Sequence, residues 1–439
     1  LRDYPLDENG RTDVCMVVNN QLWNDARVKK EAASVVKMGF SVTVIAYPEE
    51  GAPEREEREG ITIIRVPRSG LLKSGVRKFL DGATGKETFR GRMTSAFRRN
   101  PVKRFLGNLF HSVLHQARLL RHALATGARV YHAHDLDTLP VCAVAAFLTS
   151  SALVYDSHEL WLHSRRHILE TSKPFMFLEK LSEALFVPYA DAIMAVTPKR
   201  AEVMKNMYPG MAEPDVLPNY PPAAPLTKAD PRTRRMMGEE AEPRFIFLYQ
   251  GILGLHRGLE ELVDATPLLR DLPVRVTFVG HDASRGAIPA RVDSKNAGDM
   301  ITFLPPVPSE ELPRITGSAD CGLLLFRGTC LNHVYSLPNK LFEYMMAGLP
   351  IVACDLPEIA EVIGKHDCGI LVDSSDPSSI ASAMRYMAEH PDKARKMGMR
   401  GRAAAVENYS WNNAAEVLHR VYSRVLGTTP PAPRRRGEP

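Results

Sequence analysis

The 439 residues are 44% hydrophobic and 24% charged with a net charge of +5, which describes a globular chain long enough for two domains of ordinary size. No run of about 20 apolar residues is present, which excludes a spanning helix, and the six dispersed cysteines contain no C-x-x-C, which argues against a zinc site or a disulfide framework. The charge is uneven: residues 71–129 hold thirteen Lys or Arg against two acids, Asp81 and Glu87, a local +11 that leaves −6 elsewhere.

The first residues, LRDYPLDENGRTD, are polar and lack an apolar signal region; because residue 1 is Leu, the chain is expected to start inside a longer one. Spread, apolar-flanked cysteines suit free thiols in a reducing cytosol. DVCMVV (13–18) reads as a first strand, Asn19–Asp25 as a loop without glycines, Ala26–Met38 as a helix stopped by Gly39, and SVTVIAY as a second strand. This strand–helix–strand grammar predicts a parallel sheet. ITIIRV (61–66) adds a third strand. Residues 68–110 are basic with scattered apolar side chains. They read either as an amphipathic helix on an anionic membrane surface or as ordinary helices with a solvated basic face.

A helix over 111–125 leads to the strand ARVYHAH (128–134), whose end carries His134, Asp135 and Asp137. A helix over 138–149 leads to ALVYD (152–156), followed by Ser157, His158, Glu159, Leu160 and Trp161. Ligands of open parallel sheets bind beyond the carboxyl ends of strands, so Asp135, Asp137, His158 and Glu159 are well placed, although each also suits a structural hydrogen bond or loop cap. No HExxH or paired His/Cys cluster supports a metal, so none is expected. A helix near 174–187, the strand DAIMAV (191–196) and a helix from Pro198 close the first domain, assigned to 1–208. The Pro-, Gly- and charge-rich 209–243, with a short strand at Val216-Leu217, reads as a linker.

The second half repeats the pattern over 244–409. RFIFLYQG (244–251) precedes a loop with Gly251, Gly254, His256, Arg257 and Gly258 and a helix over 257–270. Further strands are VRVTFVG, ITFLP, DCGLLLF, PIVAC and CGILV, with helices near 309–317, 338–347, 358–364 and 377–389. Residues 391–427 are helical, and 428–439 form a disordered Pro- and Arg-rich tail. In SLPNKLFEYMMAGLP, Ser336 suits an N-cap, Pro338 the first turn and Gly348 a left-handed stop. Ser336, Asn339, Lys340 and Glu343 share one face. Alone, this is an ordinary capped amphipathic helix. Arg257 changes the reading: two cations at two helix starts, both at strand carboxyl ends, fit a diphosphate, with Glu343 deeper and placed for a neutral diol.

Together these features resemble the retaining GT-B glycosyltransferases of family 4. The motifs are NDARVKKEAASVVKMGFSVTVIA, YHAHDLDTLP, VYDSHELW, YQGILGLHRGLEELVDA, SLPNKLFEYMMAGLPIVA and YSWNNAAEVLHRVY. The resemblance implies an α/β fold of two Rossmann-like domains facing across a cleft, with the helix at 410–427 crossing back onto the first domain. It implies a nucleotide diphosphate sugar donor, a glycan or lipid-linked acceptor, no cofactor and no metal; no nucleic acid is expected, because the basic segment lacks interleaved aromatics at a recognisable module spacing. By the same resemblance Glu343 binds the ribose hydroxyls, Arg257 and Lys340 the phosphates, and His158 lies near the transferred sugar and its phosphate. Gly251, Gly258, Ser336 and Asn339 complete the donor side, and Asp135, Asp137 and Glu159 form the acceptor side. A non-catalytic GT-B partner subunit and a sugar-nucleotide epimerase are the rival readings. The chain departs from the family pattern at Tyr335, where a glutamate is usual, at Ile252, where an arginine is usual, and at Asn19-Asn20-Gln21, in place of a glycine-rich loop. The expected location is cytoplasmic, peripheral on the inner face of a membrane through residues 71–129.

Overall fold

The computed structural model describes residues 12–67, 101–164, 171, 173–227, 229–239, 242–254 and 257–427. The basic stretch 71–100, His256, the first eleven residues and the tail 428–439 therefore lie outside the described residues, and so do the expectations that rest on them.

Two sheets organise the chain. The first has eight strands in the order β3-β4-β2-β1-β5-β6-β7-β8. They are β1 (Val14–Val17), β2 (Val42–Ala46), β3 (Arg55–Arg58), β4 (Ile61–Arg65), β5 (Val130–His134), β6 (Ala152–Ser157), β7 (Ala192–Ala195) and β8 (Asp215–Val216). All pairs are parallel except the edge pair β3–β4. Strand β3, Arg-Glu-Glu-Arg, carries no apolar alternation, so the sequence pattern did not predict it; it forms because the chain turns back along β4 at a sheet edge. The second sheet is wholly parallel, in the order β11-β10-β9-β12-β13-β14. Its strands are β9 (Phe245–Gln250), β10 (Val274–Val279), β11 (Ile301–Leu304), β12 (Cys321–Leu324), β13 (Ile351–Cys354) and β14 (Gly369–Val372).

Central strands are buried on both faces, as helices covering a parallel sheet require. Strand order reverses beside β1 and β5 in the first sheet and beside β9 and β12 in the second, and ligands lodge at such points. The helix Trp411–Leu426 lies on the first sheet's side, with Trp411, Leu418, Val421 and Tyr422 in the core that holds Val14 and Met16. Its start is tied down by Trp411 N donating to Pro221 O at 2.8 Å and by Trp411 Nε1 donating to Ser34 Oγ at 3.0 Å.

Several elements differ from the sequence reading. The helix expected from residue 111 begins at Pro101. The stretch read as linker holds the short helix Pro231–Met236, capped by Asp230, and Met237 is buried in the second domain's core. A helix at Ala287–Ser294 was not expected, because Pro289 and a single turn pair obscure its period. The helix expected over 257–270 is Leu259–Ala265 followed by a 3-10 turn, Thr266–Leu269, where Pro267 cannot supply a helical N–H. Ser336 does not cap the next site helix. That helix spans Asn339–Met346 with extended Pro338 at its N-cap, while Ser336 Oγ donates to the His333 carbonyl at 2.8 Å. A short helix, Leu331–Val334, precedes it where a loop was read.

Candidate active site

The donor-side half is built on the carboxyl end of β9. Gly258 caps the next helix at φ 71°, and a Cβ there would run into the Leu325 carbonyl, so this turn requires glycine. The turn sets Arg257 with its guanidinium 5.4 Å from the Phe326 ring centroid. Lys340 arrives from the helix Asn339–Met346 and is 8% exposed. Its Nζ sits 3.6 Å over the Tyr249 ring and 5.2 Å from that of Phe326, with no hydrogen-bond partner. Burial, and secondarily Arg257, hold this amine well below the usual lysine range. An unpartnered buried cation beside a second cation is costly unless an anion joins them. The helix start has no side-chain cap, so it also offers N–H groups.

Glu343, one turn on, is half-buried and accepts a hydrogen bond from Gln250 Nε2. Burial raises its carboxyl, while Gln250 and Lys340 act to lower it. Gln250, Asn339 and Glu343 line a cavity of about 420 Å³ with the apolar Leu312, Pro313 and Met346. Asn339 also lines a second cavity of about 280 Å³ between the domains, together with His158, Arg200, Arg257, Asn332 and Ser336. The two cavities therefore meet at the start of one helix.

The facing half comes from β5, β6 and the helix Ala26–Lys37. His158 Nε2 lies 2.9 Å from Asp156 Oδ2, and its Nδ1 lies 3.3 Å from Asp135 Oδ2. Burial pulls the imidazole down, but Asp135 and Asp156 outweigh it and push it up to about 10. Asp135 sits at φ 66° and accepts from His158 N at 3.0 Å; burial pushes its carboxyl up to about 7 against the pull of His158. Beneath them Arg27 donates through Nε and Nη2 to both Asp156 oxygens at 2.8 and 2.7 Å and through Nη1 to Leu217 O at 2.8 Å. Burial opposes the Asp156 charge, yet Arg27 and His158 hold that carboxylate well below its ordinary value. Glu31, 2.9 Å from Arg27 Nε, is pushed well above the carboxylate range by burial and by Asp156.

Potential ligand atoms of Glu31, His134, Asp156 and His158 all lie within 4.8 Å of one another, a grouping that residue spacing did not reveal. Arg27 contacts both carboxylates of this group, so a cationic charge already stands where a divalent ion would act.

Of the residues singled out from sequence, His158, Glu159, Arg257, Ser336 and Asn339 converge on the inter-domain cavity, with Gly251, Lys340 and Glu343 beside them. Glu159 Oε2 accepts from Asn332 Nδ2 at 3.2 Å, across the domains. Asp137 is engaged elsewhere: its Oδ2 accepts from Asn19 Nδ2 at 2.5 Å and its carbonyl from Gln116 Nε2 at 2.8 Å. Ile252 is exposed and Tyr335 packs against the first domain's core, so neither stands in for the charged residue usual at its position. Arg27, Arg200, Gln250 and Asn332 were missed. Arg200 was detectable by the rule that singled out Arg257, a cation in the first turn of a helix after a strand.

Residues 25–220 match the glycosyl transferase 4-like domain, and residues 244–390 match the glycosyl transferases group 1 family. The chain belongs to the family 4-like glycosyltransferases. A D-inositol 3-phosphate glycosyltransferase of Nocardia farcinica is 27% identical over 62% of this chain and 61% of its own length. An MMP alpha-(1->4)-mannosyltransferase of Mycolicibacterium hassiacum is 26% identical over 39% of this chain and 40% of its own. The chain thus spans less than two thirds of the first of these relatives. Sucrose-phosphate synthase from Thermosynechococcus elongatus superposes with a TM-score of 0.67 at 15% identity, covering 95% of this chain and all of that one. HepE of Anabaena, solved in complex with UDP-glucose, gives 0.67 at 15% over 94% of this chain and all of that one. The two-domain α/β architecture of this chain is the GT-B fold.

Proposed function

We propose that this chain transfers a sugar from a nucleotide diphosphate sugar to a hydroxyl acceptor, retaining the configuration of the anomeric carbon and requiring no metal. The observation that carries the reading is Lys340: a buried, unpartnered amine beside Arg257, at the helix start where the two cavities meet. The nucleoside fits the larger cavity, with its ribose diol on Glu343, and the diphosphate fits between Arg257, Lys340 and the open helix start. HepE, bound to UDP-glucose in its solved structure, supports a nucleotide sugar as donor.

Leaving-group charge develops on the diphosphate as the glycosidic bond breaks, and fixed cations stabilise that charge more than the ground state. His158, a cation pinned by two carboxylates, faces the same cavity from the other domain and lies near the transferred sugar. The acceptor hydroxyl attacks from the face the diphosphate leaves, and the departing phosphate oxygen takes its proton. Glu159 and Asp135 lie on the acceptor side.

The acceptor is proposed to be a glycan or a lipid-linked glycan in cell-envelope polysaccharide assembly, met at the cytoplasmic face of a membrane. The support is one helix of basic and one of exposed apolar character. The helix Pro101–Thr126 has no acidic residue and carries Arg118 and Arg121. On the helix Lys173–Phe186, Phe177, Leu181 and Leu185 are 66%, 54% and 52% exposed. Among the described residues no helix is long and apolar enough to cross a membrane, so the association would be peripheral. Sedimentation with anionic vesicles at low salt, lost at high salt, is the expected result; no sedimentation at low salt refutes the membrane part.

Turnover tests the whole reading. Arg257→Ala and Glu343→Ala should each remove most transfer from nucleotide sugars while the melting temperature stays near the parent's, and unchanged turnover in both sinks the assignment. A partner subunit without activity is the second reading, favoured by Tyr335 packing into the first domain where a glutamate is usual. Transfer by the purified chain alone excludes it. An epimerase would convert the donor with no acceptor present.

A further inference from the structure

Gln250 is the last residue of β9 and is 2% exposed. Its position sits in a strand otherwise built of Phe, Ile, Leu and Tyr, where a buried polar side chain has to be satisfied on both ends. It is. Thr316 Oγ1, itself buried, donates to Gln250 Oε1 at 2.8 Å and lies 2.9 Å from the Leu312 carbonyl. Gln250 Nε2 donates to Glu343 Oε2. An ionised carboxylate only accepts, so the amide nitrogen must face Glu343 and the amide oxygen must face the threonine. The backbone of the same residue grips the neighbouring side chain: Gln250 N donates to Tyr344 Oη at 3.1 Å, and that hydroxyl donates to Leu248 O at 3.1 Å. One strand end thus locks two consecutive residues of the site helix. No other hydrogen bond holds the Glu343 carboxylate among the described residues, which leaves Oε1 for a ligand in the larger cavity.

We infer that Gln250 is a positioning residue that fixes the orientation of the Glu343 carboxylate, so that the site reads a vicinal diol on the nucleotide. The inference rests on the donor-site reading given above. With an apolar residue at 250, Glu343 would lose its one hydrogen-bond donor, and its carboxylate would turn towards the neighbouring amines of Lys340 and Lys30 and away from the diol. A ribose diol needs two acceptor contacts from one carboxylate; a 2′-deoxyribose needs one. The loss would therefore fall on ribonucleotides.

The experiment is calorimetric binding of UDP, GDP and their 2′-deoxy counterparts to the full chain, the Gln250→Met variant and the Thr316→Val variant. The parent should prefer the ribonucleotide by about tenfold or more, the scale of a hydrogen bond to a charged group. Gln250→Met should bring that preference to within about twofold. Thr316→Val frees the far end of the amide and should give an intermediate preference, which keeps the test decisive even where Gln250→Met fails to fold. A full ribose preference in either folded variant overturns the role of Gln250. Failure of the parent to bind either nucleotide overturns the donor reading itself and this assignment with it. Ribonucleotide selectivity lost in Glu343→Gln but kept in Gln250→Met separates the two, upholding the donor site and refuting the positioning.

Discussion

Arg200, on the first domain, donates through Nη2 to the carbonyl oxygen of Asn332, on the second, at 3.0 Å, while its Nη1 donates to the His158 carbonyl at 2.7 Å. Asn332 answers across the same gap: its Oδ1 accepts from Leu160 N at 3.0 Å and its Nδ2 donates to Glu159. The two residues close a ring of contacts around the inter-domain cavity, and both are buried. Domain closure is thereby tied to the backbone that carries His158. Asn332→Ala removes the two side-chain bonds, to Leu160 N and to Glu159, and should open the cleft. The expected outcome is a larger radius of gyration in solution scattering and a fall in kcat/KM of about tenfold, with each lost buried hydrogen bond costing about 1–3 kcal/mol of closure. An unchanged scattering curve together with unchanged kcat/KM would show that the contact does not govern closure.

Lys340 predicts a trade of stability against activity. A buried amine that must give up its proton on folding destabilises the unliganded fold, so Lys340→Met should raise the melting temperature while lowering kcat/KM by roughly a hundredfold, the scale of losing one charge-stabilising group. The pH dependence follows from the sign of the shift. A lysine held below its ordinary value binds fewer protons folded than unfolded, so its contribution to stability grows as pH rises through the folded value towards the unfolded 10.5 and is absent in Lys340→Met. Nucleotide binding should draw a proton onto the amine, visible as a dependence of the binding enthalpy on the buffer's ionisation enthalpy.

The histidine across the cleft behaves oppositely. His158 is raised from 6.5 to about 10, so its pairing with Asp156 and Asp135 stabilises the fold fully below 6.5 and the stabilisation fades as pH rises towards about 10. Denaturant unfolding of the parent and His158→Gln across that window should converge at the alkaline end. Parallel curves from pH 6 to 10 would contradict the shift. Arg27 supports this group from below, and Arg27→Leu would strip the buried Asp156 of its bidentate partner and leave it on His158 alone, a loss of about 3–5 kcal/mol.

The sequence made the fold legible because parallel strands buried on both faces are short apolar runs, and each is followed by a loop and a helix with a readable cap. The charged strand Arg55–Arg58 and the proline-interrupted helix Ala287–Ser294 lack those signals and were missed. The site divided in the same way. His158, Arg257, Lys340 and Glu343 stand out because strand ends and helix starts are local features. The partners that decide their state are not local: Gln250 is 93 residues from Glu343, Arg27 is 129 from Asp156, and Arg200 is 132 from Asn332. No spacing rule reaches that far. Asp137 illustrates the converse, since a strand-end position marked it while its neighbours Asn19 and Gln116 had already claimed it.

Tyr335 carries the last prediction. A glutamate is usual at this position, and restoring it by Tyr335→Glu is the obvious attempt to raise activity. The structure argues against success. Tyr335 ends the short helix Leu331–Val334, its ring packs against the first domain's core, and its carbonyl lies 3.4 Å from Thr197 Oγ1. The side chain therefore points across the domain junction rather than towards the anion-binding helix start. A carboxylate placed there would lose apolar contact and face partial desolvation, at a cost of about 1–3 kcal/mol. Tyr335→Glu should lower the urea midpoint with no gain in turnover, and Tyr335→Phe should leave both near the parent values. A gain in turnover from the glutamate would mean that the 331–335 segment swings towards the donor during the reaction.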